Sequence, residues 1–310
     1  MLKGKDLLSI HDLSVDEVRE ILALAKELKA KQKAGIEHHI LKGKTLGMIF
    51  EKASTRTRVS FETGMYQLGG QALFLSSHEL QIGRGEPIKD TARVLSRYLD
   101  GIMIRTFAHA DVVALAQGAD VPVINALTDL LHPCQVLTDL FTMQERRGED
   151  LKGLKVAYIG DGNNMANSLM YGCAKTGIHF VAATPAGYEP DAAVVKNARD
   201  DAKLTGASIS LTHDVVEAAK AADVLYTDVW TSMGEEAERA QRRHDLAGYQ
   251  INKELLAHAA KDALVMHCLP AHRGEEITAE VFEAHADVIF DEAENRLHTQ
   301  KAIMALTMAD

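Results

Sequence analysis

Ser54-Thr55-Arg56-Thr57-Arg58 places three hydroxyls and two guanidiniums between an apolar run at 45–50 and a helical pattern over about 55–68. A helix start offers unpaired N–H groups and a partial positive charge, which suit a phosphate. A guanidinium in the same turn adds bidentate hydrogen bonding. The simpler alternative is that Ser54 only caps the helix and the arginines are solvated. Arg58 is the member expected to turn away into a structural salt bridge. Arg105 closes another apolar run, 101–105, where ligands bind in open α/β sheets, although a surface arginine also fits. The stretch Gln81-Ile82-Gly83-Arg84-Gly85-Glu86-Pro87 is a polar, glycine-rich loop that could close over a ligand or simply connect elements.

Further along, His132-Pro133-Cys134-Gln135 supplies neutral donors for a carbonyl or an amide, or else a satisfied loop histidine. His267-Cys268-Leu269-Pro270 follows a strand end, where the cysteine is either a functional thiol or a small core residue. Neither histidine has metal-ligand spacing to a second ligand, so no metal is expected. Gly160-Asp161-Gly162-Asn163-Asn164-Met165 tempts a dinucleotide reading, but G-x-G-x-x-G would need glycine where Met165 stands. The next strand also ends without an acidic residue, so amides facing a small ligand are the better reading. Asp228 opens Asp228-Val229-Trp230-Thr231-Ser232-Met233-Gly234 at another strand end, where a carboxylate suits a substrate ammonium or caps a helix.

The elements that must position these groups alternate. Ser14 with Glu17 reads as a capping box opening a helix over 14–34. Strands are expected at 45–50, 72–75, 101–105 and 121–125, with helices over 55–68, 91–99 and 111–117 between them. A helix at about 136–147 precedes a second series: strands at 155–159, 179–183, 209–211, 224–228, 264–267 and 288–290. Helices over 164–176, 189–204 and 214–220 intervene, and one over 294–308 ends the chain. The order implies an α/β protein of two doubly wound parallel-sheet domains, with the active site in a cleft between them. The expected division is 1–135, a linking helix at 136–150, and 151–293, with 294–310 returning to the first domain. The 310 residues, 46% apolar and 25% charged, suit about two globular domains. With 34 basic against 44 acidic residues, the charge of −10 argues against nucleic acid and mildly favours a cationic partner. No stretch nears the ~20 apolar residues of a membrane span, and the N-terminus lacks a secretory core. Three scattered cysteines give neither a disulfide framework nor a zinc motif; Cys173 reads as a small apolar residue inside a helix. Together these features favour a reduced, cytoplasmic setting.

The ordered motifs Ser-Thr-Arg-Thr-Arg, His-Pro-Cys-Gln, Gly-Asp-Gly-Asn-Asn, Asp-x-x-x-Ser-Met-Gly and His-Cys-Leu-Pro resemble those of the ornithine carbamoyltransferases. The likeness runs from the first helix to Glu294-Asn295-Arg296, and no motif departs from the pattern. The first two motifs belong to the wider aspartate/ornithine carbamoyltransferase family; Ser232-Met233-Gly234 and His267 to Pro270 are those that specify ornithine. The resemblance implies a first domain for carbamoyl phosphate and a second for L-ornithine. Ser54, Thr55, Arg56, Thr57 and Arg105 would hold the phosphate, with Gln81 and Arg296 completing that site. His132, Arg105 and Thr57 would face the carbamoyl carbonyl, and Gln135 its amide. Asn164, Asp228, Ser232 and Met233 would hold ornithine. Cys268 would lie near the reacting amine, and Leu269 would offer its carbonyl to the carbamoyl NH₂. Arg105, His132, Asp228 and Cys268 would carry the catalysis. The resemblance further implies citrulline formation, in arginine biosynthesis in preference to the alternative of arginine degradation, no cofactor, a homotrimer, and closure of the 230–245 segment over the substrates. A carbamoyltransferase for aspartate or an acylated ornithine, a non-enzymatic amino-acid binding module and a dehydrogenase are the competing readings. Aspartate would call for a cation where Asp228 and Cys268 stand.

Overall fold

The computed structural model describes residues 2–80, 85–232, Gly234 and 236–309. Two compact units emerge. One comprises the chain up to Phe141 together with the residues from Glu294 onward; the other is Thr142–Ala293.

The first unit holds α1 (Val15–Lys33), β1 (Thr45–Phe50), α2 (Thr55–Gln67), β2 (Gln71–Ser76), α3 (Ile88–Leu95), β3 (Gly101–Arg105), α4 (His109–Gly118) and β4 (Val123–Leu127). Helix α1 opens with the expected capping box: Ser14 Oγ accepts from Glu17 N–H, and the Glu17 carboxylate accepts from Ser14 N–H. The strands are all parallel in the order β2-β1-β3-β4. Ile49, Ile102, Ile104 and Val123 pack with Val112 and Leu115 of α4 to form one face of its core. The chain leaves this unit within α5 (Pro133–Arg147) and rejoins it within α12 (Ala286–Met308).

The second unit holds β5 (Lys155–Ile159), α6 (Asn164–Thr176), β6 (His179–Ala183), α7 (Ala192–Ala202), β7 (Ile209–Thr212), α8 (Val215–Ala219) and β8 (Val224–Thr227). After these come α9 (Arg239–Asp245), α10 (Lys253–Leu256), β9 (Leu264–His267) and α11 (Ala279–Ala284). Its parallel sheet runs β7-β6-β5-β8-β9 over a core that includes Ile159, Leu225, Val265, Ile277 and Phe282.

One expected strand is absent. Val288-Ile289-Phe290 lies inside α12, with Val288 and Ile289 buried and Phe290 56% exposed. A three-residue apolar run carries no period, and here the flanking charges belong to a helix with one buried face. The strand expected at 121–125 occupies 123–127, after Pro122, and the helix expected at 91–99 is Ile88–Leu95. The short helices α9, α10 and α11 were not anticipated.

In each sheet the chain winds one way from a central strand and then crosses to the other side. The reversal falls between β1 and β3 in the first sheet and between β5 and β8 in the second. Crevices at the carboxyl ends of strands at such reversals are where open α/β sheets bind ligands.

Candidate active site

In the first unit the β1/β3 reversal gathers the motif residues. Phe50 pairs with Arg105 in the sheet, and Glu51 N–H donates to the Arg105 carbonyl at 2.9 Å. Arg105 therefore sits beside the loop that leads into α2. Ser54 caps α2 in an extended conformation (φ −161°): its Oγ accepts from Thr57 N–H at 3.2 Å and lies 3.0 Å from Thr57 Oγ1. Arg58 turns away, bonding Glu62 at 3.0 Å and stacking over Phe74 at 3.9 Å, as its expected structural role requires.

Arg296, on α12, joins this group across 239 residues of sequence. One of its nitrogens donates to Thr57 Oγ1 at 2.8 Å and another to Gln135 Oε1 at 2.5 Å. Gln135 Nε2 in turn donates to Asp139 Oδ1 at 2.8 Å. Thr57, Gln135, Asp139 and Arg296 are all buried. Asp139 stands one helical turn after Gln135, so it both fixes which end of the amide faces Arg296 and supplies negative charge nearby. His132 is buried too. Burial first, and then the guanidiniums of Arg296, Arg105 and Arg56, hold its pKa well below the usual imidazole value. It is consequently a neutral imidazole able to donate one hydrogen bond. Cys134 is a buried thiol, its pKa pushed up to about 12 by burial, with Sγ 3.4 Å from the Asn125 carbonyl.

The β5/β8 reversal of the second unit collects a different set. Asp228 follows β8, and its Oδ1 accepts from Cys268 Sγ at 3.1 Å and from Val229 N–H at 2.8 Å. Its Oδ2 accepts from Asn163 Nδ2 at 2.9 Å. Asn163 also caps α6, its Oδ1 accepting from the N–H groups of Met165 and Ala166 and from the Tyr158 hydroxyl at 3.1 Å. Burial, then the carboxylates of Asp228 and Asp161, raise the Tyr158 pKa well above the ordinary phenol value, so the ring keeps its proton for that bond. Asn164 is the first residue of α6, and Ser232 is half-buried in the loop after β8. The Leu269 N–H donates to His267 Nδ1 at 2.9 Å, which leaves the imidazole proton on Nε2, 3.0 Å from Glu276 Oε1. Arg242, on α9, pairs with Asp161 at 2.8 Å and reaches the Trp230 carbonyl at 3.3 Å, tying α9 to two of the loops of this set.

The first unit thus presents an anion cradle with neutral donors, and the second a carboxylate with a thiol. Residues 5–145 match the family model for the carbamoyl-P binding domain of aspartate/ornithine carbamoyltransferase, and residues 152–307 the model for its Asp/Orn binding domain. The chain belongs to the aspartate/ornithine carbamoyltransferase family. The ornithine carbamoyltransferase of Oceanobacillus iheyensis is 59% identical over all of this chain and 96% of its own length. That of Symbiobacterium thermophilum is 60% identical over 99% of both chains. The structure of ornithine carbamoyltransferase from Pyrococcus furiosus superposes with a TM-score of 0.96, at 55% identity, covering 99% of this chain and 98% of that one.

Against the motifs of this family, Ser54, Thr55, Arg56, Thr57, Arg105, His132, Gln135 and Arg296 fall in the first unit. Asn164, Asp228, Ser232, Cys268 and Leu269 fall in the second. Gln81 and Met233 lie outside the described residues. Asp139 and Tyr158 escaped the reading of the sequence; Asn163, read there with Asn164 as an amide facing a small ligand, caps α6 and holds Asp228. Asp139 had one signal, its spacing of four from Gln135 on a helix; Tyr158 was hidden by its place inside an apolar strand.

Proposed function

We propose that this protein transfers the carbamoyl group of carbamoyl phosphate to the δ-amine of L-ornithine, giving L-citrulline and phosphate, as a step of arginine biosynthesis. The observation that carries the choice of amino acid is Asp228. A carboxylate with Cys268 at its Oδ1, at the β5/β8 reversal, suits a cationic amino acid and repels aspartate.

In this reading Ser54, Thr55, Arg56, Thr57 and Arg105 hold the phosphate, with Gln81 and Arg296 completing the set. Gln135 and the Leu269 carbonyl hold the carbamoyl amide, and Asn164, Asp228, Ser232 and Met233 hold ornithine. An amine of pKa about 10 must enter the reaction as the free base. Its nitrogen attacks the carbamoyl carbon, and the C–O bond to phosphate breaks as the new C–N bond forms. His132 in its neutral form, Arg105 and Thr57 donate to the developing oxyanion, a kind of donor worth roughly 3 kcal/mol each. Arg56 and Arg105 offset the charge growing on the leaving phosphate, which takes up the proton lost by the amine. Cys268, held by Asp228, lies next to that amine. Fixing two substrates in line contributes further through proximity. Citrulline formation is the favoured direction because a mixed carboxylic–phosphoric anhydride is consumed to make a urea.

The deciding assay supplies carbamoyl phosphate with ornithine, aspartate or an acylated ornithine, and measures ureido product. Citrulline from ornithine alone is expected; no citrulline, or preference for another acceptor, would overturn the reading. Arg56→Gly is expected to lower kcat/KM for carbamoyl phosphate by roughly 10²–10³-fold.

Homotrimeric assembly belongs to the same proposal. Tyr66 and Val59 of α2 and Leu73 and Phe74 of β2 are large apolar side chains left exposed in the first unit, as an association surface would leave them. Light scattering should give three times the chain mass of 33.9 kDa. Among the described residues no helix is long and apolar enough to cross a membrane. The cytoplasmic location we propose rests on the three scattered cysteines, none of them in a disulfide.

A further inference from the structure

The turn after β9 holds three ligand-type atoms that nothing in the proposed reaction uses. His272, Glu275 and Glu276 each offer one such atom, all within 4.8 Å of one another. Glu275 is 8% exposed and Glu276 fully buried. Each side chain has one group already engaged. Glu275 Oε1 takes Arg239 at 2.8 Å and faces Arg243 at 3.6 Å. Glu276 Oε1 accepts from His267 Nε2 at 3.0 Å and from the His272 N–H at 2.5 Å. The remaining atoms, Glu275 Oε2, Glu276 Oε2 and His272 Nδ1, are buried and have no hydrogen-bond partner. His272 Nδ1 and Glu275 Oε2 stand 3.9 Å apart, too far for a hydrogen bond.

Two carboxylate oxygens and an imidazole nitrogen are three lone-pair donors. One water molecule has two protons and satisfies at most two of them. We infer that His272, Glu275 and Glu276 form a binding site for a divalent cation of borderline softness, of which Zn²⁺ is the best match. One nitrogen and two oxygen ligands plus a water complete a tetrahedral shell, with bonds of about 2.0–2.2 Å. Such bonds separate neighbouring ligand atoms by roughly 3.4 Å. Binding therefore draws in the 3.9 Å His272–Glu275 edge and the other separations, which reach no more than 4.8 Å; His272, whose side chain is 37% exposed, has room to rotate. The engaged atoms act as outer supports: Arg239 fixes the Glu275 carboxylate, and His267 fixes that of Glu276. The cation would clip together the turn that follows Cys268-Leu269, without entering the transfer chemistry.

Asp228, His267 and Cys268 make a second group of possible metal ligands, so the test must separate the two. The metal-free Cys268→Ser protein is dialysed against Zn²⁺ and the bound metal measured per chain. Co²⁺ added to the unaltered protein reports ligand type by its visible spectrum. Expected are one zinc per chain in Cys268→Ser, a rise in its Tm with zinc concentration, and loss of both on adding either Glu275→Gln or His272→Ala. The Co²⁺ spectrum should include d–d bands that persist in Cys268→Ser, where no thiolate contributes. No zinc bound by Cys268→Ser, or the same zinc content and Tm response in both double variants, would overturn the assignment. The two substitutions are independent, so one that fails to fold leaves the other to decide, and neither readout depends on activity.

Discussion

At the scale of single residues, hydrogen bonds made behind the substrate-facing groups set the geometry. Asn163 is the sharpest case, because one amide caps α6 with its oxygen and holds Asp228 with its nitrogen. Asn163→Ser retains a cap but removes the donor to the carboxylate. A hydrogen bond to a charged group is worth about 1.5–3 kcal/mol, so the KM for ornithine should rise roughly 10- to 100-fold. The KM for carbamoyl phosphate should stay put; steady-state kinetics with each substrate varied would show whether the two separate. Asp139→Ala makes the matching test in the first unit. It removes the buried carboxylate that orients Gln135 and lies one residue link from Arg296. Here kcat/KM for carbamoyl phosphate should fall at least tenfold with ornithine KM little changed, and an unaltered value would show that Gln135 needs no such support.

At the scale of elements, the strand-to-helix turns carry the chemistry, and their glycines carry the close approaches. A Cβ at Gly162 would come within 2.3 Å of Pro190 N and 2.5 Å of the Glu189 carbonyl carbon, both backbone atoms that cannot swing aside. Gly162→Ala should destabilise the second unit by about 1–3 kcal/mol, read as a lower denaturation midpoint in urea, and should raise ornithine KM because the loop that carries Asn163 must shift. The Ser14–Glu17 capping box, far from either motif set in sequence, gives the contrast: Ser14→Ala should cost about 1 kcal/mol of stability and leave kcat unchanged. The element misread from sequence, Val288 to Phe290, shows where local reasoning stops. Its three apolar residues fit a buried strand as well as a helix, and what makes them helical is their continuity with Glu292 and Arg296 on α12, whose contacts lie far away in sequence.

At the scale of the whole molecule, buried and half-buried histidines contribute to the response to acid. Burial is the first cause of a lowered pKa for His38, His109, His132, His285 and His298, the last reaching about 4. A histidine whose folded pKa lies below its unfolded value takes up its proton preferentially on unfolding. Its stabilising contribution is complete above about pH 6.5 and is lost as pH falls toward the folded pKa. Urea unfolding at pH 7 and pH 5 should therefore show a marked loss of stability in acid. His298, shifted from 6.5 to about 4, should account for up to about 2 kcal/mol of that loss, the rest of its contribution going only below pH 5. His298→Gln should flatten the slope between these pH values, and an unchanged slope would place the effect elsewhere.

The amino-acid sequence by itself determined the alternation of strands and helices, the two-fold repetition of an α/β half, and the motif residues that a carbamoyltransferase needs. Apolar periodicity, caps and turn residues are local, and so are Ser54 to Arg58 and His132 to Gln135. Tertiary structure alone decided which strands are neighbours. The orders β2-β1-β3-β4 and β7-β6-β5-β8-β9 arise from crossovers that no local pattern encodes. They bring Arg105 beside the loop into α2, and Asn163, Asp228 and Cys268 into hydrogen-bonding contact. The same long-range packing lays Arg296 against Thr57 and Gln135. It also gathers His272, Glu275 and Glu276 and leaves one buried lone-pair atom of each without a hydrogen-bond partner, an arrangement that depends on what each side chain bonds elsewhere rather than on which residues stand next to it.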